Sequence, residues 1–151
     1  MGSERSVFEL GRDGPRTIVV GVDGSTSSMR AGAYAAGLAR RQSSELVVVF
    51  ARHIGLDAAV APEAAIPSAM EAQDAVEAEL RASLWQAPWA VEARLEVRRG
   101  HPKEVLAAVA TETTAGLIVL GSSRAAAYLR PGGPLPVQLM RMRRWPVSVV
   151  P

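Results

Sequence analysis

"TIVVGVDGSTSSMRAGAYAAGLA", residues 17–39, decides the fold. Residues 17–22 form an apolar, β-branched run of strand length. "DGST" follows at once. Ser25 or Thr26 then reads as the N-cap of a helix over 25–41, an alanine-rich stretch with Met29, Ala33, Ala36 and Leu38. A strand that passes through a tight turn into a helix is the opening of a crossover unit. The rest of the chain repeats that alternation.

"ELVVVF" (45–50) is a second buried strand. Residues 52–67 hold Gly55, Pro62 and Pro67 and read as a loop. A helix is predicted over 68–86, where Ala72, Val76, Leu80 and Leu84 make one apolar stripe. Residues 91–98 alternate: Val91, Ala93, Leu95 and Val97 face one way and charged residues the other, the pattern of a half-exposed edge strand. Pro102 suits the first position of the next helix, and Gly116 its stop. "LIVLG" (117–121) is a fully apolar strand. "VQLMRMRR" (137–144) reads as a short helix with Arg141, Arg143 and Arg144 in its last turn, and "VSVV" (147–150) is the final strand.

Strands separated by helices need crossover connections. The expected architecture is therefore a single doubly wound α/β domain, a five-stranded parallel sheet with helices on both faces. Residues 1–16 read as a loosely held N-terminal tail and 17–151 as the domain.

Composition narrows the function classes. The chain has 151 residues, 48% hydrophobic and 21% charged, enough to bury a sizeable core. It has no cysteine, which removes disulfides, thiolate metal sites and cysteine nucleophiles and fits a cytoplasmic location. The start lacks the basic and apolar regions of a signal peptide, and no apolar stretch approaches the roughly 18 residues of a membrane span. The net charge is +2, and 16 of the 17 basic residues are arginine. No aromatic residues interleave with Arg141–Arg144 as a nucleic-acid stacking platform requires, so neither nucleic acid nor a membrane is expected as partner. His53 and His101, the two histidines, lack metal-ligand spacing, and His101 reads as a helix cap. Ser122 and Ser123 lack a nucleophile-elbow context. No enzyme is expected.

Doubly wound sheets bind ligands beyond the carboxyl ends of their strands. The candidate site residues are therefore Asp23, Gly24 and Ser25 after the first strand, Ala51 at the end of the second, and Gly121, Ser122, Ser123 and Arg124 after the fourth. An aspartate there accepts hydrogen bonds from ribose hydroxyls or a base amine. A main-chain N–H and C=O read a purine edge, and glycine and serine offer backbone N–H groups to phosphate. Taken singly, each residue is better explained by the turn it makes; together, at three adjacent strand ends, the two explanations come close to even.

Together, "TIVVGVDGSTSSMRAGAYAAGLA", "ELVVVFARH", "GHPKEVLAAVATETTAGLIVLGSS" and "RRWPVSVV" resemble the universal stress protein family over about residues 17–151. The resemblance implies strand order 3-2-1-4-5 and a homodimer paired through strand 147–150. Nucleotide-binding members carry Gly-x₂-Gly-x₉-Gly-Ser/Thr after the fourth strand. Gly121 matches the first glycine and Gly133 the third. Arg124 replaces the second glycine and Pro134 the hydroxyl residue, with one residue fewer between. Asp23 matches the aspartate that meets the nucleotide in ATP-binding members, and Ala51 the position whose backbone faces adenine.

Arg124 adds both bulk and a fork of donors suited to phosphate. Pro134 removes a hydroxyl and an N–H. Two lost donors at about 1.5–3 kcal/mol each weaken ATP binding by a hundredfold or more. The leading expectation is a dimeric stress-response binding module with weak or lost ATP binding. The alternative is an adenine-nucleotide switch occupied by ATP, AMP or cyclic AMP. No cofactor is assigned outright, with ATP or AMP the candidate. A slow ATP hydrolase is set last, because no base or metal cluster is visible.

Overall fold

The structure, a computed structural model, describes residues 14–53, 65–86, 91–123, 125–129 and 131–151. Its elements are β1 (Thr17–Gly21), α1 (Thr26–Gln42), β2 (Glu45–Arg52), α2 (Ala65–Gln86), β3 (Ala93–Arg99), α3 (Pro102–Glu112), β4 (Leu117–Gly121), a 3₁₀ turn (Ala125–Leu129), α4 (Leu135–Arg141) and β5 (Val147–Val150). The strands form one parallel sheet of order β3-β2-β1-β4-β5. The expected architecture and strand order are both observed.

The apolar runs are buried on both faces because successive strand residues point to opposite sides. Ile18, Val20, Leu46, Val48 and Phe50 pack under α1 and α2, against Ala31, Ala35, Ala39 and Leu80. Val19, Val47, Val49, Ile118 and Leu120 pack under α3 and α4, against Val105, Leu106, Val109 and Leu139. β1 and β4 lie at the centre. β1 runs Thr17↔Glu45 to Gly21↔Val49 against β2, and Ile18↔Leu117 to Val20↔Val119 against β4. Their carboxyl ends therefore open side by side. Among the described residues no helix is long and apolar enough to cross a membrane.

Several boundaries differ from the sequence reading, each for a local reason. α2 begins at Ala65, not 68, because Pro67 falls in its first turn, where the missing N–H removes no helical bond. β2 runs to Arg52, beyond residue 50, and pairs with β3 as far as Arg99. Of the loop expected over 52–67, residues 54–64 lie outside the described residues. α3 ends at Glu112, with Thr114 taking the left-handed conformation (φ 51°) that Gly116 was expected to supply. Gly116 serves a different need: a Cβ there would lie 2.5 Å from the Pro15 Cβ. Residues 14–16 are accordingly not loose. Pro15 O accepts from Ser44 Oγ at 2.5 Å, and Arg16 O accepts from Glu45 N–H at 2.8 Å.

α4 is shorter than 137–144 at its far end. Met142 is its C-cap and Arg143 is left-handed (φ 55°), so only Arg141 lies in the last turn. Arg144 lies over the Trp145 ring at 4.6 Å and donates to Thr111 Oγ1. The three arginines thus do not form one helix-end cluster.

Candidate functional site

The turn after β1 is a network of short side chains. Asp23 Oδ1 accepts from Ser25 N–H at 2.9 Å, closing an Asx-type turn. Gly24 sits between them at φ 85°, and a Cβ on it would come within 2.8 Å of Val76 on α2. Ser25 is the N-cap of α1 and accepts from Ser28 N–H at 3.3 Å. Ser28 Oγ donates to Ser25 O and accepts from Asp23 N–H. Partial burial pushes the Asp23 carboxyl up, but donors from Ser25 and Ser28 outweigh it and hold the group below 3.8. At neutral pH it is an ionised acceptor at the mouth of the site.

Gly121 is where β4 meets this turn. A Cβ would lie 2.5 Å from Ser27 C and 2.6 Å from Ser28 N. The glycine lets the first turn of α1 rest on the end of β4, and Ser27 Oγ fastens the contact by donating to Ser122 O at 3.0 Å. Ser122 N–H donates to Val150 O at 2.7 Å. The sheet therefore takes up one of the backbone donors expected to meet phosphate. The Ser122 side chain stays exposed.

Ala51 gains its role from the sheet's register. Glu45 bonds to Arg16 and Val49 to Val22, on the β1 side, while Leu46 and Arg52 bond on the β3 side. Odd residues of β2 thus face β1, and Ala51 with them. β1 has turned away by Asp23, so the Ala51 N–H and C=O open onto the space it vacates.

These groups line one cavity of about 740 Å³, within the range of small-molecule sites. Asp23, Gly24, Ser25, Ala51, Gly121, Ser122 and Ser123 all contribute to its lining. Gly133 is not part of the lining. Gly132 (φ 86°) and Gly133 (φ 77°) form the turn into α4, with their carbonyls held by Arg141 and by Gln138. Pro134 is the N-cap of α4 and makes no side-chain cap bond. Arg124 lies outside the described residues.

The sequence reading missed part of the wall: Pro102 and Leu106 from α3, Ala127 from the 3₁₀ turn, and Leu135 and Pro136 from α4. In a parallel sheet each helix that follows a strand starts at that strand's carboxyl end. The helix starts deserved the same reading as the strand ends. His53 and His101 meet edge to face at 5.2 Å, and His101 Nδ1 caps α3 by accepting from Lys103 N–H, as expected. Among the described residues no group of three or more His, Cys, Asp or Glu could hold a metal ion.

A doubly wound sheet in this strand order, with an acidic turn and an open backbone edge at its carboxyl end, is the frame of a nucleotide-type binding domain. The sequence model of the universal stress protein family matches residues 14–151, and the chain belongs to that family. Solved structures agree. A universal stress protein in complex with cAMP is 28% identical, with TM-score 0.61, covering 91% of this chain and 97% of that one. A family member from Burkholderia pseudomallei is 23% identical (TM-score 0.64; 93% and 98% covered). The UspA protein of Lactobacillus plantarum is 24% identical (TM-score 0.62; 89% and 97%). Among curated proteins there is no significant match.

Proposed function

We propose that the chain is a homodimeric stress-response module that binds an adenine mononucleotide of low charge, cyclic AMP before AMP, and holds ATP weakly. It acts by binding rather than by catalysis. The observation that carries the reading is the charge of the wall. Asp23 is the one ionisable side chain among the described lining residues, and it is an anion. Phosphates entering this cavity meet serine hydroxyls and, among the described lining residues, no cation. Each added negative charge then increases both the desolvation penalty and the repulsion from Asp23. Cyclic AMP carries one charge, AMP about two and ATP about four. Asp23 would take the ribose 2′-hydroxyl, the one left free in cyclic AMP, and Ala51 the adenine edge. The structural relative solved with cAMP supports the same ligand class.

Calorimetric titration of the purified full chain with the three nucleotides tests this. The expected order is cyclic AMP tightest and ATP weakest, with Asp23→Asn weakening cyclic AMP at least tenfold. ATP binding more tightly than cyclic AMP, or retained through purification, would refute the proposal.

The dimer reading rests on β5. Pro146 and Val150 bond to β4, so Val147 and Val149 direct their backbone groups outward from the edge of the sheet. Val149 is half exposed and uncharged, and Met140 nearby in sequence is too. An apolar open edge invites pairing, and two copies about a two-fold axis satisfy both at once.

A further inference from the structure

The cavity has two unlike walls. The β1–α1 turn and the residues after β4 contribute the polar one: Asp23, Ser25, Ser27, Ser122 and Ser123. The opposite wall, on the α3 and α4 face of the sheet, is carbon: Leu106, Leu120, Ala127, Leu135 and Pro136. Pro134 and Pro136 have no N–H, and Pro134 makes no side-chain cap bond. The start of α4 thus shows this cavity the aliphatic side chains of Leu135 and Pro136, next to the position where the motif has a hydroxyl and this chain has Pro134.

A polyphosphate meets no side-chain donor among the described residues of this wall, and water alone leaves apolar surface uncovered. We infer that the wall takes an apolar group carried on the phosphate of adenosine 5′-monophosphate, so that the site admits adenylate esters of apolar alcohols as a ligand class. The inference rests on the adenine-nucleotide reading above. Esterification converts the phosphate from a dianion to a monoanion, which suits a cavity whose described charge is Asp23 alone. The phosphoryl oxygens meet the Ser122 and Ser123 hydroxyls, and the ester chain runs over Leu135, Pro136 and Ala127. Each methylene buried there raises affinity about three- to fourfold.

The test is a series of adenosine 5′-alkyl phosphates, methyl through hexyl, titrated calorimetrically into the wild-type chain. Affinity is expected to rise at least tenfold from methyl to butyl. Ala127→Phe, which fills the wall, and Leu135→Asn, which makes it polar, are each expected to remove that rise with chain length. The chain-length series needs no variant, so poor folding of either one does not protect the inference. A methyl ester that binds without any gain on lengthening overturns the apolar wall and leaves the adenine reading standing. Failure of every adenosine ligand to bind overturns both. A rise that survives in both variants places the alkyl chain elsewhere and overturns the assignment.

Discussion

Gly121→Ala separates the two explanations of this glycine, because it adds one methyl group at a place where all the near atoms are backbone. The new Cβ would lie 2.5 Å from Ser27 C, 2.6 Å from Ser28 N and 2.7 Å from Ser27 O. Ordinary contact begins near 3.4 Å, so the first turn of α1 must retreat by most of an ångström. That retreat strains the Ser27–Ser122 hydrogen bond and loosens α1 from β4. Overpacking of this kind costs about 1–3 kcal/mol, which in a domain of this size lowers Tm by roughly 3–10 °C. Gly37→Ala is the internal control. It lies within α1 with nothing inside 4 Å of its Cβ position, and replacing a helical glycine there should stabilise by about 0.4–1 kcal/mol. Urea unfolding of the two variants beside the wild type measures both. If Gly121→Ala stays within about 0.5 kcal/mol of wild type, the close-approach argument is wrong, and the glycine serves the ligand alone.

Three further outcomes are expected. Pro134→Ser gives α4 a side-chain cap worth about 0.5–2 kcal/mol, partly offset by lost backbone restriction; ATP affinity should change less than threefold, and a tenfold gain in calorimetry would sink the reading of an aliphatic wall. Val149→Lys should convert a sedimenting dimer into a monomer, and an undisturbed dimer, or a monomeric wild type, would remove β5 as the interface. Asp23, lowered from 3.8, should contribute equally to cyclic AMP binding from pH 8 to 5; because its folded pKa is depressed, its share of stability is present above 3.8 and lost as pH falls through the lowered value. A drop in affinity between pH 7 and 5 that Asp23→Asn abolishes would contradict that sign.

The fold was legible because burial on both faces writes itself as uninterrupted apolar runs. "TIVVG" and "LIVLG" fit strands buried on both faces, and the alternation of Ala93, Leu95 and Val97 with charged neighbours fits an edge, which is where the sheet places them. The boundaries were less legible where one residue has two uses. Pro67 reads as a breaker but is harmless in a first helical turn, and Gly116 reads as a helix stop but makes room for Pro15. The site was half legible. Asp23, Ala51 and Gly121 follow from the strand ends. The apolar wall does not, since Leu106, Leu135 and Pro136 look like core residues of their helices, and only the sheet's geometry shows which of them border a cavity.

Gly121 also shows why a glycine motif can outlast the phosphate grip it is associated with. The first glycine is held in place by α1, whose backbone would collide with any side chain there. The Ser122 N–H is held by β5, which accepts its bond at Val150 O. Both features belong to the sheet and its crossover, so the fold keeps them whether or not phosphate binds. The position of the motif's hydroxyl lies further along, at the N-cap of α4. There the chain carries Pro134 and Leu135. Selection on stability alone would hold Gly121, so its presence does not report on phosphate. The residues that report on the ligand are therefore the ones at the start of α4, and they present carbon to the cavity.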